Sequence, residues 1–122
     1  MPDHPTSNPA QFIQGCPVLH VRDVRAIASY FRDVLGFRWD FGNERYAVVW
    51  RDNSAVHFLN AAEDPTGVHL FQWIRDVDSY HAETVARGAD VEVKPSNTPY
   101  SLREFTVRAP SGLAIVFGQD ID

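Results

Sequence analysis

The sequence is short of cysteine, of long apolar runs and of basic charge. A single cysteine, Cys16, excludes an internal disulfide, and with no signal-peptide pattern before it the chain is predicted to be cytoplasmic. No stretch approaches the roughly 18 apolar residues of a membrane-spanning helix, so no membrane is expected as a partner. The 11 basic residues are outnumbered by 16 acidic ones and form no stripe, which argues against nucleic acid as a partner.

The chain contains enough apolar residues to form one packed core. It has 122 residues, of which 44% are apolar, and it is predicted to fold as a single domain. The opening "MPDHPTSNPAQF" is rich in Pro, Ser, Asn and Thr and has no periodicity. Residues 1–12 are therefore predicted to form an N-terminal arm.

Residues 13–60 follow the pattern of a strand, a helix and three further strands. "PVLHVRD" alternates as a short buried strand does, and "FRWDF", "RYAVVWR" and "AVHFLN" are separated by turn compositions. Between them apolar residues recur at helical spacing up to Gly36. These residues are Val24, Ile27, Ala28, Phe31, Val34 and Leu35.

The same pattern returns over residues 67–119. "HVRDV" is echoed by "WIRDV" at an offset of 53, and "VVWRDNSAVHF" by "VRAPSGLAIVF" at an offset of 59, with about six extra residues placed in "VKPSNTPYSL". Asp76 or Asp78 is predicted to cap the second helix, with Glu83 facing solvent. The sequence thus predicts an α+β fold of two βαβββ modules.

Strand alternation places several candidate side chains on the open face of the sheets, away from the helices. The offsets make His69 the counterpart of Cys16, and Val116 the counterpart of His57. These four positions are expected to converge. A thiol and two imidazoles are possible ligands for Zn²⁺ or Mn²⁺. The alternative is that both histidines line a cleft as neutral hydrogen-bonding groups, with the thiol as a small apolar filler.

The ordered pieces "PVL..RDV", "LGF..DF", "YAVVWRD", "RDVDSYHAE" and "REFTVRAPSG..IVF" resemble the bleomycin resistance proteins of the glyoxalase/bleomycin resistance/dioxygenase (vicinal oxygen chelate) superfamily. Metal-dependent members of that superfamily place His or Gln, Glu, His and Glu at the four positions, where this chain has no carboxylate. The resemblance therefore implies a binding protein that holds a bleomycin-like drug or another planar molecule without a metal and without turning it over. The alternative is a glyoxalase-like or dioxygenase-like enzyme using Cys16, His57 and His69.

The resemblance also implies a set of ligand-binding residues. Aromatic side chains would stack on flat rings, and acidic groups would attract a cationic tail. Phe37, Trp39 and Phe41 are predicted to share one face of their strand, and Phe71 and Trp73 to share a face with His69. The implied binding residues are Trp39, Asp40, Phe41, Tyr46, His57, Asn60, Phe71, Trp73, Tyr100, Arg103 and Glu104.

Finally, the resemblance implies a homodimer whose clefts are shared between chains. In such a dimer an N-terminal strand crosses to the partner. "NPAQFIQGCPV" suits this role, since Pro9 and Gly15 bound a short segment that could pivot.

Overall fold

The first module forms a four-stranded mixed sheet covered by one helix. The sheet order is β1-β4-β3-β2, with β1 parallel to β4 and the other neighbours antiparallel. In the computed structural model, which describes residues 11–122, its elements are β1 (Val18–Val21), α1 (Val24–Asp33), β2 (Arg38–Gly42), β3 (Tyr46–Arg51) and β4 (Ser54–Asn60). The predicted arm, residues 1–12, lies almost wholly outside the described residues.

The second module repeats this arrangement with the order β5-β8-β7-β6. Its first strand is parallel to its last, and the remaining pairs are antiparallel. Its elements are β5 (His69–Trp73), α2 (Val77–Ala86), β6 (Val91–Asn97), β7 (Leu102–Arg108) and β8 (Ala114–Asp120). The predicted α+β fold of two βαβββ modules is confirmed.

Each helix begins at an aspartate that caps it. Asp23 accepts a hydrogen bond from the Ala26 amide at 3.0 Å, and Asp76 accepts one from the Ser79 amide at 3.1 Å, so Asp76 rather than Asp78 is the second cap. Both helices contain ten residues. Among residues 11–122, neither is long and apolar enough to cross a membrane. The buried face of α1 consists of Val24, Ile27, Ala28 and Phe31, as the periodicity predicts.

The strand registers confirm both offsets of the internal repeat. Val18 pairs with His57 in the first sheet, and Phe71 pairs with Val116 in the second. These pairs are related by 53 residues on the first strand of each module and by 59 residues on the last. The two modules therefore place equivalent side chains on equivalent faces.

The offset of 59 does not extend to the third strand of each module, β3 and β7, where the equivalent residues are 58 apart. Val48 is equivalent to Thr106 rather than to Val107, because Val48 pairs with His57 and Thr106 with Val116. The cause is the turn before the last strand. Two residues separate the paired ends of β3 and β4, whereas Pro110–Gly112 adds a 3-10 turn between β7 and β8.

Both modules contribute to one continuous core between their sheets and helices. Leu19 and Val21 point into it, as predicted. The rings of Phe31 on α1 and Phe58 on β4 meet edge to face at 5.3 Å, and the rings of Tyr80 on α2 and Phe117 on β8 do so at 4.9 Å. Aromatic pairs in the core therefore fix each helix against its own sheet.

A hydrogen-bonded ion pair joins the two modules. Arg51 on β3 donates to Glu83 on α2 at 2.6 Å and to the Leu35 carbonyl at 3.0 Å. The Tyr80 hydroxyl donates to the same carbonyl at 2.6 Å. The prediction that Glu83 faces solvent is wrong, because a residue 32 positions away in sequence holds it half-buried.

Candidate functional site

Each sheet has one face turned away from its helix, and these two open faces carry most of the predicted binding side chains. Paired residues on neighbouring strands share a face, so the registers assign the members directly. On the first open face lie Val18, His20, Arg38, Phe41, Tyr46, Val48, Trp50, Ala55, His57 and Leu59. On the second lie His69, Phe71, Trp73, Val93, Ser96, Glu104, Thr106, Arg108, Ala114, Val116 and Gly118.

An exposed aromatic pair dominates the second open face. Phe71 and Trp73 lie on β5 with 39% and 44% of their surface exposed, and their rings meet edge to face at 4.8 Å. The Phe71 ring leans over Gly118, where a β-carbon would lie 2.6 Å from Cζ of the ring. Because Gly118 has no side chain, the Phe71 ring can lie close to the sheet.

Glu104 lies on the same open face as this pair, and Tyr100 contacts Glu104. The Tyr100 hydroxyl donates to both carboxylate oxygens of Glu104, at 3.2 and 3.3 Å. Tyr100 is 53% exposed. Partial desolvation raises the pKa of Tyr100, and the hydrogen-bonded carboxylate raises it further. The phenol consequently stays protonated and keeps orienting the carboxylate at neutral pH.

The first open face presents an imidazole and a phenol instead of a carboxylate. Tyr46 Oη and His57 Nδ1 are hydrogen-bonded at 2.6 Å, and the two rings are nearly perpendicular. Phe41 is 60% exposed on β2. Arg38 stacks its guanidinium 5.5 Å from the Trp50 ring. This face can offer hydrogen bonds and a stacking surface to a ligand.

The prediction that Trp39 shares a face with Phe41 is wrong. A bulge at Asp40 makes Trp39 pair with Val49, a fully buried core residue, whereas Phe41 pairs with Val48 on the open face. Trp39 therefore packs on the helix side of the sheet. Asp40 is exposed at the bulge itself.

Asn60 and Arg103 also lie on the helix side. Asn60 binds a backbone carbonyl there, and Arg103 binds a side chain of α2. Asn60 donates to the Arg22 carbonyl at 2.8 Å, which fixes the turn between β1 and α1. Arg103 donates to Asp78 on α2 at 2.9 Å and to Asn97 at 3.0 Å. In the segment 103–105, only the Glu104 side chain lies on the open face.

A cavity of about 910 Å³ runs along β5 between the modules. Phe71 and Trp73 form one wall, and the pair of Arg51 and Glu83 lies in another. Sequence reasoning missed Gln72, which accepts a hydrogen bond from Ser54 at 2.5 Å across the module junction and also lines this cavity. No local pattern in the sequence predicts that Ser54 and Gln72, which belong to different modules, contact each other.

A smaller cavity of about 360 Å³ lies on the first open face. Cys16, Val48, Trp50 and His57 are among its lining residues. Val48 and Trp50 were absent from the predicted site. Strand parity could have found them, because they share a face with the predicted Tyr46.

The three candidate metal ligands do not meet within one chain. His57 lies on the first sheet beside Tyr46, His69 lies on the second sheet opposite Ala114, and Cys16 donates to the Gln14 side chain at 3.3 Å. Among residues 11–122 no three His, Cys, Asp or Glu side chains are grouped so that they could hold a metal ion. The predicted convergence is therefore wrong for the single chain.

Two βαβββ modules, each with a helix on one face of its sheet and aromatic side chains on the open face, define the class of fold. The chain belongs to the Glyoxalase/Bleomycin resistance protein/Dioxygenase superfamily, whose family model matches residues 13–117. The predicted family is confirmed. No curated protein sequence matches the chain.

Several solved structures share this fold. A bleomycin-binding protein from bleomycin-producing Streptomyces verticillus, complexed with copper(II)-bleomycin, is 27% identical with a TM-score of 0.76, covering 88% of this chain and 96% of that one. A bleomycin-binding protein complexed with bleomycin is 17% identical with a TM-score of 0.75, covering 88% and 98%. TioX from Micromonospora sp. ML1 is 23% identical with a TM-score of 0.73, covering 87% and 97%. The last two likenesses show the fold alone.

Proposed function

We propose that this protein binds a bleomycin-like or other planar aromatic small molecule by stacking and sequesters it unchanged. The observation that carries the proposal is the exposed pair of Phe71 and Trp73 on the second open face. Large aromatic side chains left open on a rigid sheet are suited to stacking on flat rings. The likeness to a bleomycin-binding protein at 27% identity supports the same class of ligand.

Residues of both open faces would contact the ligand. Phe41 and Tyr100 are exposed and would add stacking surface, while His57 and its partner Tyr46 would orient polar groups of the ligand. The helix-side residues Trp39, Asn60 and Arg103 would act only by holding the strands and helices in place, because their side chains lie on the helix side of the sheets. Asp40 would contribute from the rim.

The proposed binding needs no metal ion. The four equivalent positions hold a thiol, two imidazoles and Val116, and the Tyr46 hydroxyl already occupies one nitrogen of His57. This donor set lacks the hard oxygen ligands preferred by metals that chelate vicinal oxygens. Because the bound drug would not be turned over, each chain could remove only one drug molecule from solution, and protection would require more protein than drug.

The proposed working form is a homodimer with an N-terminal strand exchanged between chains. Phe12 and Ile13 are almost fully exposed in a single chain, as expected for apolar side chains that a partner would cover. Each dimer would hold two ligands. Sedimentation equilibrium should give twice the chain mass, whereas a monomer at micromolar concentration would contradict this part of the proposal.

Calorimetric titration with metal-free bleomycin tests the function, with metal content and ligand mass measured by mass spectrometry on the same sample. We expect one bleomycin per chain, no stoichiometric metal and recovery of bleomycin at unchanged mass. Phe71→Ala should weaken binding by about 1 to 3 kcal/mol, or roughly 5- to 150-fold. Val85→Ala is the matched control, because it truncates an exposed apolar side chain on α2.

Two results would contradict the proposal. Equal affinity of the Phe71→Ala variant and the wild type would remove the aromatic pair from the site. Stoichiometric zinc or manganese together with a ligand of altered mass would show an enzyme instead.

A further inference from the structure

An arginine without a carboxylate partner lies on the first open face, on the bulged strand β2. Arg38 is exposed, and its guanidinium lies over the ring of its cross-strand partner Trp50, 5.5 Å from the ring centre. Within residues 11–122 the Arg38 side chain forms no salt bridge, not even with Asp40, which is two positions away. Its charge therefore has an aromatic neighbour and no anionic one in this part of the chain.

The second open face neutralises its own arginine. Arg108 lies on that face, and Glu92 accepts hydrogen bonds from its guanidinium at 2.7 and 2.9 Å. On the first face, the strand-paired outward positions hold Arg38 and two histidines but no carboxylate. Charge thus distinguishes the two faces, and the first is the one suited to attract an anionic group.

The bulge at Asp40 places Arg38 beside the exposed Phe41. Simple alternation along β2 would put residues 38 and 41 on opposite faces. Instead Arg38 pairs with Trp50 and Phe41 with Val48, which are successive outward positions of β3. Such positions lie about 7 Å apart along a strand. A flat ring stacked on Phe41 would therefore bring a short acidic substituent within reach of the guanidinium.

The Trp50 indole positions the guanidinium without using its hydrogen-bond donors. A guanidinium packed over an aromatic ring keeps its N–H groups in its own plane, where they remain available. The planar fork of these groups matches a carboxylate, which accepts two parallel hydrogen bonds from it. Arg38 is thus arranged to bind a carboxylate at the edge of its guanidinium while its face packs on Trp50.

We propose that Arg38, held over Trp50 beside Phe41, is a subsite for a carboxylate group attached to a planar aromatic ligand. This inference rests on the proposed function and deepens it, because it adds an anionic group to the chemistry of the ligand. Phe41 would stack on the ring system, and Arg38 would bind the carboxylate. The subsite would also orient the ligand, since a cationic group is repelled from Arg38.

A pair of synthetic probes that differ in charge tests the subsite. One is a bithiazole carboxylate, and the other is the corresponding primary carboxamide, which is uncharged. Calorimetry should show that the wild type binds the carboxylate about tenfold more tightly than the carboxamide. Arg38→Gln should abolish that preference by weakening only the carboxylate. Arg38→Lys should reduce it, because an ammonium group keeps the charge but lacks the planar fork of donors.

Arg22→Gln is the control for net charge, since Arg22 is exposed between β1 and α1 and forms no salt bridge within residues 11–122. It should keep the preference. If both probes bind and Arg38→Gln leaves their affinity ratio unchanged, the carboxylate subsite is wrong and planar-ligand binding stands. If neither probe binds while bleomycin does, the subsite alone fails; if bleomycin also fails to bind, the proposed function fails with it. Circular dichroism of each variant verifies the fold.

Discussion

The two modules share their architecture yet differ where their second and third strands are connected. In the first module, β2 turns tightly into β3 through Gly42, and Asn43 closes the turn by accepting from the Arg45 amide at 2.8 Å. In the second, six additional residues separate equivalent pairs: Val93 and Thr106 correspond to Phe41 and Val48. The predicted number and place of the extra residues are confirmed.

This difference teaches how a duplicated fold acquires an asymmetric surface. The longer connection carries Tyr100, whose hydroxyl holds Glu104 on the second open face. The tight hairpin of the first module has no equivalent, and its open face has the Tyr46–His57 pair. Equivalent strands thus support different chemistry, because the insertion changes which side chains can reach the sheet.

Replacing the glycine of the tight hairpin should have the largest effect. Gly42 has φ of +117°, and a β-carbon there would lie 2.0 Å from the Tyr46 carbonyl oxygen. Since that neighbour is backbone, we expect Gly42→Ala to lower the free energy of unfolding by about 3 kcal/mol or more. Urea denaturation measures this value.

Gly67→Ala is the matched control for this hairpin. Gly67 also has positive φ, at +67°, but a β-carbon added there would have no atom within 4 Å. Only conformational strain is expected at this position, about 1 kcal/mol. The longer connection of the second module places a serine, Ser101, at φ of +64°. Equal losses in the two glycine variants would contradict the steric account.

The second-largest effect should come from replacing Gly118, which lies under the Phe71 ring in the second module. Leu59 stands at the first-module position equivalent to Gly118. Gly118→Ala should push the Phe71 ring away from the sheet, because the ring tip can move, and should cost less than about 1 kcal/mol of stability. Metal-free bleomycin should bind several-fold more weakly, as measured by calorimetry.

Near-ultraviolet circular dichroism provides the structural readout for this variant. Its aromatic bands should change, since Phe71 and Trp73 are in contact. Unchanged affinity despite a changed spectrum would show that the seated ring geometry does not matter for binding.

Most of the fold could be predicted from the sequence because it is repeated and periodic. Alternation on β1 identified the buried Leu19 and Val21, and the second copy repeated the pattern at a fixed offset. The cap of the second helix was recognisable from local chemistry as Asp76 or Asp78. These signals depend only on neighbours in sequence, so no tertiary information was needed.

The candidate site was less predictable because its errors come from register and from distant partners. The bulge at Asp40 turns Trp39 to the helix side, and no glycine or proline marks it. Successive side chains of a strand point to opposite faces, so the alternation of "REFTV" could have placed Arg103 and Glu104 on opposite faces of the sheet. The partner of Glu83 lies in the other module, so its burial depends on tertiary packing that no local pattern contains.

The smallest effect should come from the ion pair that joins the modules. The hydrogen bond from Arg51 lowers the pKa of Glu83 below its ordinary value of 4.5. A carboxylate with a depressed pKa stabilises the fold above its unfolded pKa, and this contribution is lost as pH falls through the folded value. Glu83→Gln should therefore destabilise the protein by about 0.5 to 1 kcal/mol at pH 7, since the pair is partly exposed.

The difference between wild type and Glu83→Gln should stay constant above about pH 5 and shrink as the carboxyl protonates below that pH. Urea denaturation at a series of pH values measures it. Glu63→Gln is the control, because Glu63 is exposed in the segment between the modules and should leave stability unchanged. A deficit of Glu83→Gln that persisted undiminished to about pH 3 would show that the amide disturbs packing, and that the charge of Glu83 does not hold the two modules together.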